Sequence, residues 1–238
     1  MIAAIHQPQF MPWSGYFDKM DQVDCFVLLD NVQYKKNEWQ NRNRIKGSQG
    51  VQWLTVPVRF NFPARIAEVG VNSSDPWRRK HLQALRTNYA KAPYWAASEG
   101  FLEQFYACDW SELAVVNRAS IEWLRDQLGI DTRLEVASEM KLSQEPTQRL
   151  IDICNAVGAD TYLSGVDGEQ YMNMELFATA GVKIVVQDYE PPVYPQLYGD
   201  FVSHLSVLDL LLNCGPESGK VLRSGRKNKP IKNKRAGI

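Results

Sequence analysis

The sequence predicts an α/β protein, with a mainly parallel, Rossmann-like sheet flanked by helices, a helical insertion in the middle and a basic C-terminal tail. Three observations carry that prediction. Two short apolar runs, MIAAI (1–5) and CFVLLD (25–30), bracket a segment able to turn helical, which makes a strand–loop–helix–strand unit. The second half of the chain alternates β-rich runs with helical patterns, as a parallel sheet requires. Between the halves, residues 75–128 read as consecutive helices with no strand among them.

MIAAI lacks polar alternation, so it reads as a buried strand. From Gly15 to Met20 the spacing of Phe17 and Met20 suits a helix, and CFVLLD follows as a second buried strand closed by Asp30. Residues 31–47 are polar and basic and read as a loop. VQWLTVPVRF (51–60) alternates and reads as a strand, with IAEVGV (66–71) as its hairpin partner. A helix over 75–95 is expected to be capped by Asp75, with Pro76 in its first turn and Pro93 at its end. Helices near 97–107 and 110–128 follow. Leu113, Val116, Ile121, Leu124 and Leu128 keep helical spacing in the second of them. Then come a strand (132–140), a helix ending at Gly158, a strand (161–165), a glycine turn, a helix (174–180), a strand (182–189) and a last helix (206–215). The expected organisation is one domain over 1–215 and a flexible tail over 216–238. From Lys220 onward that tail holds eight Lys or Arg, the last being Arg235, and no acid.

With 238 residues and 45% hydrophobic content, the chain can bury a core. Its formal net charge is zero, which excludes a surface that is basic throughout. The cysteines at 25, 108, 154 and 214 show neither zinc spacing nor a disulfide framework, and read as small buried apolar residues. No signal peptide or membrane-length apolar run is visible, so a cytoplasmic protein without a membrane span is expected. No metal-binding or nucleophile-elbow motif is present. His81 lies beside Arg78, Arg79 and Lys80 and is expected to be exposed; His204 is expected to cap the last helix.

Ligands of open α/β sheets bind outside the carboxyl ends of the strands. Three segments leave such ends. In IHQPQFMPWSGYF, His6, Gln7 and Gln9 offer directional hydrogen bonds, Pro8 and Pro12 stiffen the loop, and Gly15 allows close backbone approach beside Trp13 and Tyr16. After Asp30, the cations Lys35, Lys36, Arg42, Arg44 and Lys46 surround Trp39, Asn41 and Asn43, a mixture suited to phosphates and a stacked ring. In LSGVDGEQYM (163–172), Ser164 offers a donor, Gly165 and Gly168 a tight turn, and Asp167 or Glu169 a base or a contact to ribose hydroxyls, with Gly165, Asp167 and Tyr171 as substrate-binding candidates. The plain alternatives are a tight turn, a solvated basic loop and a strand-to-helix connector.

Taken together, IHQPQFMPWSGYFDK (5–19), WQNRNRIKG (39–47) with WLTVPV (53–58), TYLSGVDGEQYM (161–172) and YPQLYGDFVSHLSVLDLLLNCG (194–215) resemble the WbqC-like protein family. That resemblance implies a bacterial cytoplasmic protein of surface-polysaccharide (O-antigen) biosynthesis. Its implied activity is a transferase placing an acyl or aminoacyl group on a nucleotide-linked amino sugar. Aminoacyl-tRNA, acyl-CoA or ATP would serve as donor or activator, with the tail from Lys220 to Arg235 open to a tRNA. His6 would be the general base because its pKa can sit near neutral, with Gln7 and Ser164 completing the catalytic set. A more distant resemblance links the first thirty residues to the HxGH nucleotidyltransferase-type fold. Trp13 and Tyr16 stand here where that family has its two histidines. The alternatives left open are an ATP-dependent amide ligase and a non-catalytic sugar-nucleotide-binding module.

Overall fold

The computed structural model describes residues 1–170 and 172–227; Tyr171 and the part of the expected tail beyond residue 227 lie outside the described residues. Five strands form one all-parallel sheet: β1 (Ile2–His6), β2 (Cys25–Leu28), β7 (Arg133–Val136), β8 (Thr161–Ser164) and β9 (Lys183–Val186), in the order β7-β2-β1-β8-β9. Successive side chains alternate between two cores. Ala4, Phe26, Leu28 and Leu163 face the larger core, whereas Ala3, Ile5, Cys25, Val27 and Tyr162 face the smaller.

The larger core is covered by α1 (Ser14–Asp21), α2 (Trp77–Tyr89), α3 (Trp95–Ala107), α4 (Leu113–Gln127), α7 (Val207–Cys214) and α8 (Ser218–Ser224). The smaller core lies under α5 (Pro146–Val157) and α6 (Met174–Thr179). The middle helices therefore contribute to the same core as the sheet. Among the described residues, no helix is long and apolar enough to cross a membrane.

Several details differ from the sequence reading. The last part of the basic loop is a strand: β3 (Arg42–Gly47) pairs antiparallel with β4 (Gly50–Thr55). Polar Asn43 at an inward position hid the alternation, in which Asn43 and Ile45 are buried while Arg42 and Arg44 face outward. The expected strand over 51–60 is split at Pro57, whose neighbours Val58–Arg59 form β5 and pair with β6 (Gly70–Val71). Helix α2 begins after Pro76, and Asp75 pairs with Lys80 rather than capping it. Ser206, not His204, caps α7, accepting a hydrogen bond from the Leu208 amide. His81 is buried among Phe10, Trp77 and Tyr106, and its Nε2 lies 3.1 Å from the Thr55 carbonyl. Cys108 is exposed and Cys214 half-buried, whereas Cys25 and Cys154 are buried as expected.

Residues 218–224, expected to lie in the tail, form α8. Helix α8 packs on α1, and Arg223 donates to both oxygens of Asp21 at 2.9 Å. Arg226 donates to Asp18 at 2.5 Å and also pairs with Asp21. Two carboxylates on α1 thus bind cations that composition alone marks as solvated.

Candidate functional site

From β1 the chain builds the sheet outward in one direction through β2 and β7. It then returns to add β8 and β9 on the other side. Beside β1 the strand order reverses, and the carboxyl edge of β1 and β8 is the ligand crevice of such a sheet. Their register runs from Ile2↔Thr161 to Ala4↔Leu163, so Ser164 and Gly165 leave β8 alongside the end of β1 that carries His6. Residues 6–16 and 164–168 therefore share one edge, and Asp30 leaves β2 at the same edge.

His6 is half-buried on the larger-core face, with its ring edge-on to Tyr16 at 4.7 Å. Its Nδ1 lies 3.0 Å from the Gln7 carbonyl. A carbonyl only accepts, so Nδ1 carries the proton and Nε2 keeps a lone pair. Burial, helped by the nearby Lys19 ammonium, pushes the His6 pKa down to about 3. The near-neutral value expected from sequence does not hold at this degree of burial. His6 is a neutral imidazole with one assigned tautomer.

The loop after His6 is held at nearly every carbonyl. Asn43 Nδ2 donates to Phe10 and Met11, and Asn117 Nδ2 donates to Pro8 and to Gln40. The Val207 amide donates to Pro12. Gln40 Nε2 donates to the Gln7 side chain at 2.7 Å, and the Phe10 amide donates to the Trp39 carbonyl. Gln9 Oε1 is buried without a partner. Asn41 and Asn43 thus act on the protein itself, Asn41 donating to the Val56 carbonyl.

Other expected site residues are packed, bonded within the protein or exposed. Tyr16 is packed against Phe17 and Phe26 and has no open face for a base. Lys46 is 3% exposed, and its ammonium is spent on Gln196 and the carbonyls of Gly199 and Asp200. Gly15 is required by the chain itself, because a Cβ there would sit 2.2 Å from the Trp13 ring. Trp13 stacks on His204 at 5.0 Å. Ser164 is buried and donates to its neighbour Gly165, under a Gly168 whose Cβ would clash with its hydroxyl at 1.9 Å. Lys35, Lys36 and Asp167 are exposed. Asp30 accepts from the amide and hydroxyl of Ser138, joining the ends of β2 and β7.

Four features escaped the sequence reading. Lys19 is buried and donates to the Ile5 carbonyl at 3.3 Å, and burial pushes its pKa down to about 8. Asn117 stands on the apolar stripe of α4, a polar residue in a core position and hence a detectable signal. Asp209 anchors Tyr89, Tyr194 and Gln196. A cavity of about 230 Å³ opens beside the candidate edge, lined by Pro8, Leu28, Asp30, Val115, Arg118 and Ser138. Among the described residues, no group of His, Cys, Asp and Glu could hold a metal ion.

The WbqC-like protein family matches residues 7–221. A Mycobacterium tuberculosis (strain H37Rv) protein described as "Uncharacterized protein Rv1507c" is 37% identical over 224 residues, covering 92% of this chain and 96% of its own. No solved structure matches.

Proposed function

The chain belongs to the WbqC-like protein family, and from that premise we propose that it is a transferase of polysaccharide biosynthesis, placing an acyl or aminoacyl group on the amine of a nucleotide-linked amino sugar. The observation that carries this reading is the fixed, neutral His6 at the carboxyl edge of β1. Its Nε2 lone pair accepts a hydrogen bond from a substrate amine or hydroxyl and orients it for attack. A negative charge brought beside the ring on substrate binding raises its pKa and makes it a stronger base in the complex. The adjoining cavity of about 230 Å³ offers carboxylates and one guanidinium, Arg118, to a polar ligand the size of a sugar. Backbone amides around Gly165 are the donors for a developing oxyanion.

A thermal-shift panel tests the reading. Nucleotide-linked amino sugars, their non-amino counterparts, ATP with magnesium and acyl-CoAs are compared. A ligand at 100 times its Kd adds about 2.7 kcal/mol. Selective stabilisation by the amino sugars is expected. Mass spectrometry with the acyl and aminoacyl donors should then show acylated sugar, lost in His6→Ala while binding persists. Equal turnover by His6→Ala, or no response to any amino sugar, refutes the proposal; a response to ATP alone favours the ligase.

A further inference from the structure

The antiparallel register of β3 and β4 places Arg44 opposite Trp53 and Arg42 opposite Thr55. Directly paired residues share a face, as do residues two apart on one strand, so Arg42, Arg44 and Trp53 occupy one side of the hairpin. Asn43, Ile45 and Leu54 are buried on the other. Trp39 completes the outward side, 5.5 Å from Trp53. The Arg42 guanidinium lies 4.2 Å from the Trp53 ring, and that of Arg44 lies 5.5 Å from Trp39 and 5.9 Å from Trp53. Trp39 and Trp53 are 38% and 42% exposed. Arg42 Nε and Arg44 Nε are buried against the rings and have no hydrogen-bond partner.

Cations dominate the surroundings. Lys35, Lys36, Arg42 and Arg44 lie in this stretch against one acid, Glu38, while Lys46 is buried. Arg44 also donates to the His204 carbonyl, and His204 stacks on Trp13. A row of rings and guanidinium groups thus runs from the hairpin to the loop that follows His6.

We propose that this face of the β3–β4 hairpin is a stacking platform for an unpaired RNA strand. Partly exposed indoles interleaved with guanidinium groups suit bases and phosphates together, without reading sequence. A mononucleotide fits less well, because small ligands need a concavity that buries most of their surface, and this face is open. Choosing RNA over DNA rests on the acyl-transfer reading, in which an aminoacylated RNA is one donor class; the platform itself is independent of that reading.

Fluorescence anisotropy on the full chain, using a labelled 20-nucleotide oligoadenylate, tests the proposal. The comparisons are the same length of duplex RNA, the DNA counterpart and free AMP. Tighter binding of the single strand is expected, with Trp39→Ala and Trp53→Ala each weakening it about fivefold or more. Arg42→Lys keeps the charge but loses the planar stack, and should also weaken binding. Melting temperatures confirm that the variants are folded. Equal affinity for duplex, or unchanged affinity in both tryptophan variants, overturns the platform. So does binding lost only when Lys229, Lys232 and Lys234 are changed to Gln. Preference for DNA overturns the choice of RNA, and competition by AMP at equal nucleotide concentration identifies a mononucleotide subsite instead. None of these outcomes depends on amino-sugar binding, so the two proposals fail separately.

Discussion

Replacing Asp209 with Asn tests what holds the segment 194–204 against β3, α2 and α7. The carboxylate is fully buried. Its Oδ1 accepts from Tyr194 and Gln196, each at 2.8 Å, and its Oδ2 accepts from Tyr89 at 2.7 Å. Burial pushes its pKa up, while these donors and Lys46 pull it down. Asn keeps the shape but turns one acceptor into a donor. At Oδ1 the new amide faces the Gln196 amide, which cannot accept. At Oδ2 it faces the Tyr89 oxygen, which already accepts from the Lys46 amide at 2.9 Å, and the Tyr89 proton loses its acceptor. Either way a buried donor is stranded and hydrogen bonds to a charge are weakened. The expected loss is about 2–4 kcal/mol, read as a lower urea midpoint at constant slope. Tyr194→Phe, which removes one donor and strands none, should lose only about 1 kcal/mol. A loss below about 0.5 kcal/mol for Asp209→Asn, the range of neutral surface changes, refutes the reasoning.

Three further outcomes are expected. Arg226→Ala leaves the fully buried Asp18 without its cation, and should destabilise the protein by about 3–5 kcal/mol, measured by urea unfolding. Burial holds His81 near a pKa of about 4 and His6 near about 3, against 6.5 for the free side chain. The unfolded chain therefore binds protons that the native chain does not, and stability falls as pH drops from about 6.5 toward 4, by about 3 kcal/mol for His81 alone. His81→Phe should flatten that acid limb in unfolding titrations. Gly15→Ala drives a methyl into the Trp13 ring, costs about 1–3 kcal/mol, and should change tryptophan fluorescence as the stack on His204 opens.

Much of the scaffold is legible in the sequence because buried parallel strands and amphipathic helices have distinct periods. MIAAI, CFVLLD and VKIVVQDY lie on strands, and the leucine spacing of 113–128 marks α4. Other features depend on partners distant in sequence. Asn43 reads as a polar loop residue, yet it is buried against the carbonyls of Phe10 and Met11. Lys46 reads as a phosphate ligand, yet it is enclosed by a segment 150 residues further on. Arg223 and Arg226 read as tail, because nothing near them in sequence foretells Asp18 and Asp21. Site polarity was visible at residues 6–16, but which polar groups face the ligand depends on what the rest of the fold has already claimed.

The same accounting explains why the opening segment is polar and broken by prolines. Asn43, Asn117, Gln40 and the Val207 amide donate hydrogen bonds that the oxygens of a solvated loop would accept from water. Pro8 and Pro12 remove donors that would otherwise need partners and narrow the unfolded ensemble. The result is a loop fixed by the rest of the fold, with His6 at its root held by Gln7, Tyr16 and the strand. Under the proposed function, a preorganised imidazole loses little entropy on binding and orients the reacting group. For this reason Asn43→Ala, which touches no ligand in this reading, should impair substrate binding as well as stability, whereas Lys36→Ala on the open loop should leave stability unchanged.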